Sequence, residues 1–401
     1  MKRLVRLKNY WRPILRWSLL LDSLALTALG LLTVFRVPVW LGWVVGMVVP
    51  EIGLWLALAA LAVAAGAWAL RKGGRVVAAV TIALCAAACC LMLKPAAQAW
   101  RLGRTLPDQL TAAFESQSGA PAPGARRAPF SFAAALAGRA PEPVAVETMA
   151  YSGDLLLDFY RPPGRRGPAP CVVVIHGGSW VSGNRMDDGT KRWLNDHLAR
   201  RGYAVASIDY RLCPEWVWPA QRDDLLAAIA FVRAQAAALD VDPARIVLLG
   251  RSAGAQIALA TAYAARDPAV RGVVAIYGPT DFRLTWDVSL EPGNLDHRLN
   301  LVAFLGGTPT NAASPAYDSA SAVTLATPNA PPTLILQGRL DVNVLHRQAE
   351  RLDDRLSAAG VPHALVSLPW AAHGFDLVGF NTPGGQLTTY AVDRFVAAVT
   401  R

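Results

Sequence analysis

Residues 245–265, RIVLLGRSAGAQIALATAYAA, decide how this chain is read. Arg245–Leu249 is a short, continuous apolar run of the kind that forms a strand buried on both faces. Ser252–Ala265 then has helical spacing. Between them stands Gly250-Arg251-Ser252-Ala253-Gly254. A Ser at a sharp strand-to-helix turn is held in strained backbone geometry with its hydroxyl exposed, and flanking glycines let neighbouring elements pass close to it. The pentapeptide alone is common by chance and also describes a glycine-rich turn with an N-capping Ser. Its strand–turn–helix setting points to a nucleophile, because the helix N-terminus presents N–H dipoles to developing negative charge.

Outward from this turn the pattern repeats. Val144–Tyr151 and Leu155–Tyr160 read as a strand pair. Cys171–Ile175, Tyr203–Ile208, Val270–Ile276, Thr333–Leu336 and Ala364–Leu368 read as strands, and Lys191–Arg201, Asp223–Ala237, Leu345–Ala359 and Thr388–Val399 as helices. Residues 282–328 read as an irregular insertion. Short apolar strands alternating with helices predict an α/β fold, a doubly wound and mostly parallel sheet over 144–401, large enough for its own core.

The strand ends carry the remaining chemistry. Strand Cys171–Ile175 leads into His176-Gly177-Gly178-Ser179-Trp180, where two glycines allow the backbone to aim N–H groups at a ligand. Gly177 and Gly178, with the N–H of Ala253, are the candidate oxyanion hole. His176 precedes the hole and reads as a structural hydrogen-bonder. Strand Thr333–Leu336 leads into a loop holding Asp341, and Ala364–Leu368 into one holding His373. Ser252, Asp341 and His373 thus follow in the order nucleophile, acid, base, each past its own strand. His197, His346, His297 and His363 fit worse, lying in or beside helices, in the insertion, or before a strand. Asp209-Tyr210-Arg211 reads as an internal ion-pair or hydrogen-bond bracket. Trp180, Trp216, Trp218, Trp286, Phe304 and Leu305 are candidates for an acyl pocket or for ordinary core. No CxxC or Cys/His ligand spacing points to a metal, and the phosphate-binding fingerprints GxGxxG and GxxxxGK[ST] are missing, so no cofactor is expected.

Residues from about 145 to 400 resemble the α/β-hydrolase fold. More narrowly they resemble the esterases and lipases around hormone-sensitive lipase and the carboxylesterase and feruloyl-esterase-like group. The resemblance rests on His176–Trp180, Asp209–Leu212, Gly250–Gly254, Gly278–Asp281, Gly338–Asp341 and His373–Phe375. It implies ester hydrolysis through a Ser–His–Asp triad, with 282–328 as a cap. Two positions depart from the pattern: Ser179 stands where many of these lipases have a third Gly, and Arg251 stands where a small, polar or acidic residue is common.

The N-terminal third lies outside this resemblance. The chain of 401 residues is 53% hydrophobic and only 17% charged, below the roughly 25% usual in soluble domains. Its net charge of +10 is local: residues 1–105 hold 13 basic residues against Asp22 and Glu51, while the remainder holds 26 basic and 27 acidic ones. The basic residues flank apolar runs, which argues for membrane topology and against nucleic-acid binding. Residues 17–35, 52–70 and 76–93 are each long enough to cross a bilayer. A cleaved signal peptide accounts for one such run but not three. Val39–Val49 is too short to cross alone and suits a dip into the interface, with Trp40 and Trp43 at headgroup level. Lys/Arg asymmetry places the N-terminus in the cytoplasm and everything after about 95 outside it; a fourth crossing by 39–49 would reverse this. Asp22 is either a polar contact site or a residue near a helix end paired with Arg16. Residues 95–143, rich in Ala, Pro and Gly, read as a tether with a short amphipathic helix at 106–118. The Arg- and Ala-rich composition is compatible with a bacterial genome.

The expected protein is therefore an integral membrane serine hydrolase of a bacterial cell membrane, with an extracytoplasmic catalytic domain acting on small or lipid-like acyl esters and its helices among membrane lipids. Amide cleavage of the peptidase or formamidase type uses the same triad. A catalytically silent binding module would have lost a triad member. A transporter would need more than three helices and one acidic group, so the bundle reads as an exchangeable anchor.

Overall fold

The computed structural model describes residues 2–115, 128–186, 192–289, 291, 295–310 and 312–401. Residues 116–127 of the expected tether, Lys191, and residues 290, 292–294 and 311 of the insertion lie outside these.

One eight-stranded sheet organises the catalytic part. Its strands are β1 (Val146–Ser152), β2 (Leu155–Tyr160), β3 (Ala169–Ile175), β4 (Ala204–Ile208), β5 (Val241–Arg251), β6 (Val270–Ile276), β7 (Thr333–Gly338) and β8 (His363–Leu368). Their order is β1-β2-β4-β3-β5-β6-β7-β8. The first two are antiparallel to their neighbours, and β3 to β8 run parallel. The central strands β3, β4 and β7 are buried along their whole length, as a sheet covered on both faces requires. Residues 282–328 are more ordered than the sequence suggests. They include four short helices, Phe282–Val288, Arg298–Leu305, Ser314–Ala320 and Ala322–Leu325.

The N-terminal third is helical: α1 (Lys2–Leu31), α2 (Trp40–Glu51), α3 (Gly53–Ala69) and α4 (Arg75–Leu110). Two of them, over Trp11–Leu31 and within Arg75–Phe114, are long and apolar enough to cross a membrane, and α2 with α3 forms a third apolar pair bent by 82°. α1 runs parallel to α4: the Thr27 hydroxyl reaches the Leu84 carbonyl and the Thr33 hydroxyl the Leu91 carbonyl. α3 is antiparallel to α4, with Cys89 donating to Ala57 and Gly53 against Met92. Arg16 does not pair with Asp22; its guanidinium binds the carbonyls of Leu70 and Gly73 at 3.0 and 2.7 Å.

The boundary expected at residue 94 is not a break, because α4 runs through it to Leu110. Pro95 normally stops or kinks a helix, since it leaves the carbonyl of residue i−4 without its N–H. That carbonyl belongs to Leu91, and the Thr33 hydroxyl donates to it at 3.1 Å. At about 1.5 Å per residue, 36 residues span roughly 54 Å, well beyond the about 30 Å of a bilayer core. The surplus is built into the sheet domain. Ala96, Ala99, Leu106 and Leu110 are buried in the same core cluster as Val247, Leu334, Tyr390 and Phe395, and Gln109 Nε2 donates to Leu365 O on the edge strand β8.

Leu106→Ala therefore removes a fully buried side chain from the catalytic core and not from a tether. It should lower the unfolding free energy by about 2–5 kcal/mol. Thermal denaturation followed by residual esterase activity would register this; an unchanged transition would return 95–110 to the role of linker.

Candidate active site

The site forms at the carboxyl ends of β3, β5, β7 and β8. β5 ends at Arg251, and the helix Ala253–Ala265 begins one residue after Ser252. Ser252 itself has φ 52° and ψ −119°, a strained left-handed conformation for a side-chain-bearing residue. The turn is that sharp because backbones nearly touch. A Cβ on Gly250 would lie 2.2 Å from the Gly254 carbonyl oxygen, and one on Gly254 would lie 2.2 Å from that of Ile175.

The turn brings the three predicted residues together. The Ser252 hydroxyl donates to His373 Nε2 at 2.9 Å, and His373 Nδ1 donates to Asp341 Oδ2 at 2.8 Å. Asp341 is fully buried and has no freedom to turn away. Its other oxygen accepts the Asn343 and Val344 N–H groups, each at 2.8 Å, and Gln337 Nε2 donates to Oδ2 at 3.0 Å. A carboxylate held by four donors is fixed in orientation.

The glycine turn after β3 stands against Ser252. A Cβ on Gly177 would lie 3.2 Å from Ser252 Cβ, and Gly178, at φ +121°, would drive a Cβ into the Ser182 carbonyl. Ala253 opens the helix behind Ser252, so the three candidate N–H groups belong to segments that meet at the hydroxyl. The bracket at 209–211 supports this turn. Tyr210 stacks on His176 at 4.1 Å and donates to its carbonyl at 3.1 Å. Asp209 accepts from the Arg185 N–H and guanidinium, and Arg211 binds Asp224. The remaining histidines are engaged elsewhere: His197 with Asp393, His346 with Ser367, His363 with the Val361 carbonyl.

Two features were not foreseen, and a third decides between the two readings of the candidate pocket aromatics. Arg251, the odd residue beside the nucleophile, is 4% exposed and sends Nε to Asp376 at 2.7 Å. Asp376 also accepts from the Tyr277 hydroxyl at 2.5 Å, and the Tyr277 ring lies 4.5 Å from that of His373. A buried ion pair thus ties the Ser252 turn to the His373 loop. Second, the insertion at 282–328 brings His297 near His373. Burial, with the nearby His373, holds its imidazole below the ordinary His range, and it bonds the Asn343 backbone. Third, most of the candidate pocket aromatics are packed on one another: Trp180 stacks on Phe304 at 4.4 Å, Trp218 tilts against the same ring, and Trp286 meets Tyr317 edge-on. Trp216 is the exposed one of the set, under Arg211. Among the described residues no cluster of three or more His, Cys, Asp or Glu is placed to hold a metal.

A hydroxyl, an imidazole and a buried carboxylate in one hydrogen-bonded line, at the carboxyl end of a parallel sheet, define the α/β-hydrolase class. The comparisons agree on the class. The family BD-FAE matches residues 157–356. The chain is similar to the probable carboxylic ester hydrolase LipM of Mycobacterium tuberculosis, with 31% identity over 330 residues, 75% of this chain and 74% of that one. That span exceeds 144–401, so the likeness reaches into the residues before it. Esterase LipC of the same organism is 31% identical over 61% of this chain, which spans 62% of LipC's length. Among solved structures, the esterase of Pyrobaculum calidifontis aligns with a TM-score of 0.55 and 26% identity, covering 64% of this chain and 86% of that one. A Rhizomucor miehei esterase shares the fold at a TM-score of 0.56 and 24% identity, covering 76% and 96%. The chain belongs to the carboxylic ester hydrolase family and is a carboxylesterase.

Removing the Arg251 guanidinium leaves Asp376 buried with only Tyr277. Arg251→Ala should cost about 3–5 kcal/mol of stability. Chemical denaturation of Arg251→Met, Asp376→Leu and the double variant would show the double losing less than the sum of the singles. Additive losses would mean that the pair does not act as a unit.

Proposed function

We propose that this protein is a membrane-anchored serine carboxylesterase that cleaves small or lipid-like acyl esters through Ser252, His373 and Asp341. The observation that carries the reading is the hydrogen-bonded line from Ser252 Oγ to His373 Nε2 and from His373 Nδ1 to Asp341, at 2.9 and 2.8 Å. His373 takes the hydroxyl proton as Ser252 Oγ attacks the ester carbonyl carbon. Asp341 keeps Nδ1 protonated and stabilises the imidazolium that forms. The carbonyl oxygen becomes an oxyanion in the tetrahedral intermediate, where the N–H groups of Gly177, Gly178 and Ala253 stabilise it. His373 returns the proton to the departing alkoxide, which leaves as the alcohol, and the acyl group stays on Ser252. Water, deprotonated by the same imidazole, then releases the acid.

Three features support the anchoring. α1 and α4 have the length and hydropathy of spans. Large apolar side chains on the helices, such as Trp17, Leu21, Trp55 and Val76, are exposed. The basic residues Arg16, Arg71, Lys72 and Arg75 gather at one end of the bundle, opposite the catalytic domain. By the positive-inside tendency that end is cytoplasmic and the catalytic domain lies outside. The similarity to mycobacterial esterases supports a bacterial cell membrane as the setting.

The test uses the full chain in detergent micelles and p-nitrophenyl esters from acetate to palmitate. Ser252→Ala and His373→Ala should abolish turnover with the fold intact. Asp341→Asn should lower kcat by on the order of 10⁴. A silent Asp341→Asn would remove the acid from the triad. Labelling by a fluorophosphonate without ester turnover would favour amide substrates.

A further inference from the structure

The N-terminal helices touch the catalytic machinery directly. Segment Arg36–Glu51 lies against the two loops that carry Asp341 and His373. Arg36 Nε donates to the Arg339 carbonyl at 3.1 Å, two residues before Asp341. Trp43 Nε1 donates to the backbone carbonyl of His373 at 3.1 Å, with the two rings 6.3 Å apart. Met47 packs so closely on the next residue that a Cβ on Gly374 would lie 2.6 Å from its sulfur. At the end of α2, Glu51 is buried, and its two oxygens accept from Trp370 Nε1 at 2.9 Å and from the Gly384 N–H at 2.6 Å. Trp370 precedes His373 by three residues, and Gly384 opens the C-terminal helix Pro383–Val399. A narrow apolar seam of Leu32, Phe35, Trp43 and Gly46 against Leu340 and Ala372 completes the contact.

Nothing in a tether requires this. A membrane anchor needs apolar length; it does not need an indole aimed at the carbonyl of the general base, or a desolvated carboxylate clamping both sides of that residue's loop. A buried carboxylate is costly unless donors hold it, and here the donors are supplied by the His373 loop and the helix that follows it. From this we infer that α2 is a working part of the active site, with Trp43 and Glu51 as positioning residues that hold the His373 loop in register with Ser252. The inference rests on the serine-hydrolase reading above and deepens it. Turnover then depends on the N-terminal helices being docked, and the bundle is not exchangeable for an unrelated anchor. α2 bends 82° from α3 and stays at the catalytic end of the bundle, so the segment whose sequence suits a dip into the interface is also the one that braces the base.

The test compares the full chain with Trp43→Phe, Glu51→Gln, Trp55→Phe and Ser252→Ala in detergent micelles. Active sites are counted with a fluorophosphonate probe, and kcat is expressed per counted site on p-nitrophenyl butyrate. Trp43→Phe keeps the ring and loses only the N–H donor. It should lower kcat per site by about tenfold, the equivalent of one modest hydrogen bond in the transition state. KM should stay within about twofold, since no substrate contact is lost, and the probe's labelling rate should fall in parallel. Glu51→Gln, which cannot accept at both oxygens, should fall at least as far. Trp55→Phe, on the exposed side of α3, should match the wild type. A purely structural contact would give fewer counted sites and a lower Tm with kcat per site unchanged, and that result overturns the inference. Should Glu51→Gln not fold, Trp43→Phe decides alone. Turnover surviving in Ser252→Ala would instead refute the serine-hydrolase reading, and the inference would fall with it.

Discussion

Everything in the catalytic part is arranged around one crowded turn. β5 must end, expose a hydroxyl and start a helix within two residues, with β3 passing alongside. The backbone approaches at Gly250 and Gly254 are too close for any side chain, and Ser252 accepts a left-handed conformation as the cost of the geometry. The surroundings keep that strain from relaxing. β3, β5 and β6 are paired in register up to the turn, through Ile175–Gly250 and Gly250–Ala275. The Ser252 N–H is held by the Ile276 carbonyl at 2.9 Å. A turn secured on both sides can present its hydroxyl in one position, and a base delivered by a different loop can then be aligned to it.

That second alignment explains Arg251. Ser252 and His373 sit on separate loops, and some element must fix the distance between those loops. Arg251 is next to Ser252 and Asp376 is three residues past His373, so the buried pair spans that distance with a charge-assisted hydrogen bond of 2.7 Å. Tyr277 adds a third point, bonded to Asp376 and lying beside the imidazole. The departure at position 251 is thus a structural brace under the site, made possible because its partner is equally buried.

The meeting of Ser252, His373 and Asp341 was legible in the sequence because each follows its own apolar strand, and strands buried on both faces are the clearest periodic signal in the chain. Leu155–Tyr160 and Val270–Ile276 match the sequence reading to the residue, and the other strands differ by a few positions at one or both ends. Two kinds of feature were not legible. The brace of Arg251, Asp376 and Tyr277 joins residues up to 125 positions apart, and no local pattern encodes such a meeting. The continuation of α4 was hidden by composition: residues 95–143, rich in Ala, Pro and Gly, read as a tether, and the Thr33 hydroxyl that satisfies the Leu91 carbonyl belongs to the turn after α1. Trp43 read as a headgroup residue for the same reason, since an aromatic in a short apolar run gives no hint that its N–H will meet the carbonyl of His373.

The topology gives these hidden contacts a common origin. Arg16 binds the carbonyls at 70–73 at one end of the bundle, and Lys94 binds the Thr33 carbonyl at 2.8 Å at the other. Segment 32–52 therefore emerges at the same end as the catalytic domain, which α4 enters without a break. With α4 fixed in the core by Leu106 and Leu110, the connection between α1 and α3 lies against the loops of β7 and β8. Those loops follow the last two parallel strands and hold Asp341 and His373. A helical bundle that enters the domain beside β8 meets the catalytic loops as a consequence of where the sheet ends, and Trp43, Met47 and Glu51 are the side chains that make that meeting specific.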